Sequence, residues 1–168
     1  MIDRKNTITY ERLLEILEYR EDTGKFYRKS SRLKKFVGSE TGKLDKSGYI
    51  HVFVDGRRYQ AHRLAWLYVM KQWPVSDIDH INRVRTDNRI CNLREANESQ
   101  NCQNSDNSRG VSKYRGVAWH KRNKRWISHI QIAGKHIHLG SFDTEEQAFL
   151  AYKNARDKLH PFYVGTQQ

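Results

Sequence analysis

Residues 105–113, SDNSRGVSK, are small, polar and Gly-containing, with no apolar period, and core-forming patterns flank them on both sides. A stretch of this kind reads as a linker. The sequence therefore predicts two small domains, 1–104 and 114–168, each closing its own core, within a chain of 168 residues.

Ahead of the break, Thr9 to Tyr19 (TYERLLEILEY) sets Leu13, Leu14, Ile16 and Leu17 at helical spacing behind a Thr able to cap, and Asp22-Thr23-Gly24 stops the helix. From Gly48 the text YIHVFVDGRRYQA alternates about Asp55-Gly56, which signals a hairpin. His62 to Lys71 follows as a helix that buries Leu64, Ala65, Leu67, Tyr68 and Met70 and ends before Trp73-Pro74. Residues 28–47 are polar and basic and read as loop, either a solvated surface or an arm that tracks phosphates. Behind the break come three strands, Tyr114 to Trp119, Arg125 to Gln131 and Lys135 to Gly140, the last two joined by an Ala133-Gly134 turn. Thr144 with Gln147 forms a capping box for a closing helix whose apolar face is Ala148, Ala151, Tyr152, Ala155 and Leu159. The fold class expected is α+β, its second part a three-stranded antiparallel sheet packed on one helix.

Lys and Arg number 31 against 19 Asp and Glu, a formal charge of +12, so a polyanionic partner is the first inference. Both parts share the excess: 11 basic and 4 acidic residues from Asn107 onward, 20 and 15 before it. No run of about 18 apolar residues exists and MIDRKNTITYE lacks the order of a signal peptide, which predicts an intracellular, cytoplasmic protein with no membrane partner. Cys91 and Cys102 form no CxxC pair, which argues against a disulfide framework and a thiolate zinc site. Any metal should be held by oxygen or imidazole.

Chemistry-bearing residues concentrate in Asp79-His80-Ile81-Asn82, Asn88, Asn92-Leu93-Arg94, Asn97, Asn101 and Asn104. Phosphodiester hydrolysis needs a base for water and a cation for charge on the phosphoryl oxygens, and a His beside an Asp offers both. On a regular strand Asp79 and His80 would point to opposite faces, so ligand and base require a bulge or a strand end. Asn97 can cap a helix with Gln100 at its third position, setting Asn101 one turn inside and facing back toward Asp79-His80. Oxygen ligands from Asp79 and Asn101 suit magnesium or manganese, one ion per site. Asn88, Asn97 and Asn104 are equally compatible with capping and turns alone.

The order Ala61-His62-Arg63-Leu64-Ala65-Trp66, Asp79-His80-Ile81-Asn82, Asn88-Arg89-Ile90-Cys91-Asn92-Leu93-Arg94 and the Asn-rich 97–104 resembles the HNH endonucleases of the phage and homing type, over roughly residues 8–104. The resemblance implies a ββα-metal core, Asp79 and Asn101 as ligands of one Mg2+ or Mn2+, His80 as general base and Asn92 as the residue orienting it. It also implies 5′-phosphate and 3′-hydroxyl products and a free-standing homing enzyme encoded by a phage. Many relatives have a Gly-containing turn after the DHIN stretch where this chain has Arg83-Val84-Arg85. His62, near a helix start, reads as structural rather than as a phosphate contact.

In the second part, Tyr114-Arg115-Gly116-Val117, Arg125-Trp126-Ile127, Leu139-Gly140-Ser141-Phe142-Asp143-Thr144 and Ala148 to Ala155 resemble the APETALA-type (ethylene-response-factor) DNA-binding domain over about 114–160. That family lays its sheet in the major groove with the helix behind. Strand alternation turns Trp126, Ser128, Ile130, Ile137 and Leu139 toward the helix and Ile127, His129, Gln131, His136 and His138 outward. Arg115, Lys121, Arg122, Lys124 and Arg125 complete the expected DNA-binding set. Relatives carry mostly Arg and Trp where this chain has His129, His136 and His138, so their target sequence does not transfer, and His160-Pro161-Phe162 replaces a more usual Gly-containing turn.

The expected function is a metal-dependent endonuclease that nicks or cuts double-stranded DNA, as a monomer or a dimer assembled on DNA, with no protein partner implied. Two alternatives are a non-catalytic DNA-binding regulator with a decayed nuclease core and an RNA-binding or RNA-cleaving protein.

Overall fold

A computed structural model describes residues 8–30, 33–104, 111–132 and 134–163. Residues 105–110 of the expected linker and Ala133 of the expected turn lie outside them. The chain divides into two compact units, 1–97 and 98–168.

In the first unit, Thr9 caps α1 (Tyr10–Ile16) by accepting a hydrogen bond from the Arg12 backbone N–H at 3.2 Å. The helix is shorter than the Thr9 to Tyr19 span predicted. Leu17 turns extended, with φ −124°, and opens strand β1 (Leu17–Arg20), in which Leu17 and Tyr19 are buried at the spacing of two proper to a strand. Helical and strand periods overlap across LLEILEY, and cross-strand pairing with β2 (Lys25–Arg28) decides the outcome. The 28–47 stretch is not wholly irregular either. It contains a 3-10 turn at Lys34–Phe36, a strand β3 (Glu40–Thr41) that joins β2, and β4 (Lys43–Leu44).

The predicted hairpin forms as β5 (Ile50–Val54) and β6 (Arg57–Gln60) around Asp55 at φ 48° and Gly56 at φ 75°, the paired positive φ of a primed hairpin turn. Helix α2 (Ala61–Met70) buries Ala61, His62, Leu64, Ala65 and Leu67 and stops at Lys71, a left-handed residue at φ 61°. Met70, expected inside, is 43% exposed because it falls on the outer side of the last turn. Leu13, Leu17, Phe26, Val52 and Leu64 lie at the centre of one core. Strands β7 (Asp77–His80) and β8 (Leu93–Ala96) pair antiparallel with Asp79 opposite Arg94 and His80 opposite Leu93.

The second unit opens with α3 (Glu98–Gln103), so the ββα order expected of an HNH core is present along the chain. Its sheet runs β11 (Lys135–Phe142), β10 (Arg125–Ile132), β9 (Val117–His120), and α4 (Glu145–Leu159) is capped by Thr144, whose hydroxyl accepts from the Gln147 N–H at 3.2 Å. The first strand starts at Val117 rather than Tyr114, since Gly116 at φ 75° breaks the extended run. Ser128, Ile130, Val117, Ala148 and Tyr152 make the buried centre. The register slips between Ser128, opposite Gly140, and His129, opposite His138, which leaves Leu139 as the extra residue of a bulge. Ile137, expected inside, is 41% exposed near the hairpin turn, and Leu159, expected on the apolar face of α4, is 43% exposed in the last turn. Among the described residues no helix is long and apolar enough to cross a membrane.

Candidate functional site

The β7–β8 hairpin carries Asp79 and His80, the candidate residues of the first unit. Alternation along β7 leaves Asp79 half-buried and His80 buried, on opposite sides of the strand. The chain then turns at once: Arg83 N–H donates to His80 O at 2.8 Å, and Ile81 N–H to Asn92 O at 2.9 Å. His80 is thus a strand-end residue, one of the two arrangements that can bring an adjacent Asp and His to one site.

Loop 81–92 is braced by its own polar side chains. The Asn82 N–H donates to Asn92 Oδ1 at 2.9 Å, Asn92 Nδ2 to Asp87 O at 2.8 Å, Asn82 Nδ2 to Asp87 Oδ2 at 2.7 Å, and Val84 N–H to Asn82 Oδ1 at 2.9 Å. Asp87 also receives Arg89 at 2.8 and 2.6 Å, and this guanidinium draws the carboxyl down to about 2. Arg83 adopts φ 64°, a conformation uncommon for a side-chain-bearing residue. Asn92 therefore holds the loop by its ends, while the amide that approaches the His80 ring is that of Asn88, with Oδ1 3.2 Å from Nε2.

Burial pushes His80 below its ordinary value, opposed by the Asn88 contact and the charges of Asp79 and Asp87. His62 packs edge-on against it with centroids 5.1 Å apart, and Tyr49 flanks both rings at 5.4 and 6.0 Å. His62 is itself buried and is driven down to about 3, by burial first and then by His80, Arg63 and His51, so its ring is neutral near pH 7. That environment fits the structural role expected for it.

On the other side of β7, Asp79 Oδ2 receives Arg94 Nε at 2.9 Å and Arg94 Nη2 at 2.8 Å. Arg94 carries no role in the sequence reading. The contact follows from the observed strand register, which sets residue 94 opposite residue 79. Asn101 is half-buried on α3, in the second compact unit. Among the described residues no group of three or more His, Cys, Asp or Glu could hold a metal ion. An ion site in this chain would draw on amide or water oxygens beside a carboxylate, and Asp79 and Asn101 each carry oxygen donors of the kind a hard divalent cation takes.

In the second unit, pairing of His129 with His138 and of Gln131 with His136 brings all four to one face of the sheet, with the His129 and His136 rings 6.0 Å apart. Gln131, His136 and His138 are exposed. His129 is half-buried and lowered by burial, then by His136 and His138. Lys121, Arg122 and Lys124 are exposed together in the β9–β10 turn. Arg125 is bound to Asp143 at 2.7 Å, and Arg115 is half-buried ahead of β9.

Residues 59–103 match the HNH endonuclease family and residues 112–160 match the AP2 domain family. The ethylene-responsive transcription factor WRI1 of Arabidopsis thaliana is 38% identical over 83 residues, 48% of this chain and 18% of its own length. APETALA2-like protein 2 of Oryza sativa subsp. indica is 49% identical over 48 residues, 29% of this chain and 11% of its own. The chain thus spans less than a fifth of the length of these two curated relatives. The solved structure of the HNH homing endonuclease I-HmuI, described as DNA binding and cleavage, overlaps with a TM-score of 0.43 at 20% identity, covering 90% of this chain and 88% of that one. The overlap is too loose to carry an argument. The family matches, together with the hairpin and the sheet-on-helix module that these residues form, show a chain that carries an HNH endonuclease domain over 59–103 followed by an AP2 domain over 112–160.

Proposed function

We propose that this chain is a metal-dependent endonuclease that hydrolyses DNA phosphodiester bonds, with His80 as general base, Asp79 and Asn101 as ligands of one Mg2+ or Mn2+, and the AP2 sheet as the reader of duplex DNA. The observation that carries the reading is the termination of β7 at His80. It presents an acid and an imidazole at adjacent positions in front of a loop fixed by Asn82, Asp87 and Asn92.

His80, below its ordinary pKa through burial, is neutral near pH 7 and able to take a proton from the attacking water. Arg94 holds the Asp79 carboxylate in place, and Asn92 keeps the loop closed behind the base. A bound divalent ion would supply the charge that stabilises the phosphoryl oxygens and the leaving group. His129, Gln131, His136 and His138 face the major groove, and Arg115, Lys121, Arg122, Lys124 and Arg125 supply phosphate contacts. Residues 105–113 link the two domains, and the whole fits a free-standing homing nuclease of a phage, acting inside the host cell as a monomer or a dimer formed on DNA.

One observation favours a second reading. Curated relatives such as WRI1 are named as ethylene-responsive transcription factors, and a non-catalytic regulator would need only the AP2 segment. Incubating supercoiled plasmid with the protein and Mg2+ or Mn2+ separates the two: nicked or linear product is expected, and none with either ion refutes the nuclease.

A further inference from the structure

We infer that Asn88, clamped from behind by the β1–β2 hairpin through Tyr19 and Gly24, is a positioning residue that fixes the tautomer and orientation of the His80 ring. The inference takes the role of His80 from the nuclease reading and adds parts of the chain that lie outside the HNH match of 59–103.

Asn88 is 2% exposed, so its amide groups need partners within the protein. Its Nδ2 donates to Thr86 O at 3.3 Å. A carbonyl oxygen only accepts, so the amide must turn its nitrogen to Thr86 and its oxygen to His80 Nε2, 3.2 Å away. That oxygen only accepts as well, and the proton of the neutral imidazole is therefore held on Nε2. The basic lone pair then resides on Nδ1, the nitrogen that would receive the proton of the attacking water.

The Asn88 backbone is held in turn. Tyr19 Oη donates to Asn88 O at 2.7 Å and also has a backbone hydrogen bond with Ile90. Burial pushes the Tyr19 phenol up, so it stays protonated and donating. Phe26 at 5.0 Å and Tyr68 at 5.6 Å wedge the Tyr19 ring. At the tip of the same hairpin a Cβ on Gly24 would overlap the backbone of Asn88 and Arg89, and Gly24 has φ 70°. Only glycine allows so close an approach there. A residue pair early in the chain thus fixes the amide that fixes the base.

The test uses full-length 15N-labelled protein, free of metal, and two-bond proton–nitrogen correlations of its histidines. The His80 signals are those missing from His80→Ala. Wild type should show Nε2 as a protonated, pyrrole-type nitrogen and Nδ1 as a pyridine-type one. In Asn88→Ala the two shifts should draw together as tautomers average, and in Asn88→Asp, which keeps an acceptor oxygen, they should stay apart. In plasmid nicking with Mg2+, Asn88→Ala should lower kcat by about 10- to 100-fold with KM unchanged, the range expected for a lost outer hydrogen-bond partner. Tyr19→Phe should lower it about threefold to tenfold, one hydrogen bond's worth. A wild-type His80 protonated on Nδ1, or identical His80 spectra in Asn88→Ala, would overturn the inference. Should Asn88→Ala fail to fold, Tyr19→Phe decides, since unchanged kcat and unchanged His80 shifts in that variant remove the clamp. If the spectra respond as expected while even wild type cuts no DNA, the positioning stands and the nuclease reading falls.

Discussion

In loop 81–92 the side chains of Asn82, Asp87, Asn88 and Asn92 are bonded to one another, to the loop backbone or to His80, and His80, Asn88 and Asn92 are buried. On the outer face of the β9–β10–β11 sheet, Gln131, His136 and His138 stand exposed, and Lys121, Arg122 and Lys124 fill an exposed turn. On the proposed reading the same residue types, amides and imidazoles above all, do different work in the two places. A base must stay within a few tenths of an ångström of its geometry, so the protein occupies its hydrogen bonds internally. A reader of base edges must leave its donors and acceptors for the nucleic acid.

The sharpest way to break this contrast is to remove one group from the braced region. His80→Ala should lower plasmid cleavage by at least about 10²-fold, the scale of a lost general base, with DNA affinity nearly unchanged. A fully active variant would sink the mechanism. Asp79→Ala should raise the Mg2+ concentration needed for half-maximal nicking, with poor rescue by Mn2+, because an anionic ligand is lost for either ion. An unchanged metal titration would remove Asp79 from the ligand set.

A smaller effect is expected from removing the open region. Truncation from Ser105 onward should leave cleavage in place while duplex affinity falls about tenfold or more and the slope of binding against log salt flattens, since several of its 11 basic residues no longer displace counterions. Cut sites mapped for both proteins on one DNA should lose position specificity in the truncated form. An unchanged cutting pattern and salt slope would mean that the sheet is not the reader.

The contrast also explains what the sequence disclosed. The sheet-on-helix module was legible in its element order and its helix cap, because strand alternation and the Thr144 cap are local signals, while the bulge at Leu139 and the exposure of Ile137 and Leu159 were not. The Asp55-Gly56 hairpin was legible for the same reason. At the start of the chain, apolar residues compatible with both periods let a helix be drawn through Leu17 and Tyr19, where pairing with β2 makes a strand. In the site, Asp79, His80 and Asn92 stood out by their order, but the contacts of Asn88 with His80, of Arg94 with Asp79 and of Tyr19 with Asn88 did not. Tyr19 and Asn88 are separated by 69 positions, and no local pattern encodes that contact.

Backbone strain offers a more modest lever confined to the second unit. Gly116 has φ 75°, and a Cβ there would run into the Tyr152 ring. Gly116→Ala should destabilise the AP2 module by about 2 kcal/mol or more through combined strain and overpacking. Calorimetry should show one transition lowered, and DNA retention should fall at temperatures where plasmid nicking persists. Equal loss of both activities at one temperature would mean that the two units do not unfold separately.

The smallest expected effect distinguishes the units by acid. His62 has its pKa lowered from 6.5 to about 3 by burial, so the unfolded chain binds a proton there through a pH range in which the folded chain does not. Protons then favour unfolding: the stability conferred by a neutral His62 is full above pH 6.5 and declines as pH falls toward about 3. Between pH 6.5 and 5.5 the loss should be about 1 kcal/mol, one proton's linkage over one pH unit, discounted for the part already titrated at the start. His129 is lowered in the same direction but is only half-buried on the open face of the sheet, where solvent screens the charge and relaxes around it. The first unit should therefore lose more stability than the second over that interval, read as the separation between two denaturant transitions at each pH. His62→Phe keeps an aromatic ring against His80 and removes the titrating group, so the pH dependence of the first transition should flatten by close to one proton. If that slope survives the substitution, the acid sensitivity comes from another group, and a buried neutral His62 is not what sets the nuclease unit apart from the reader.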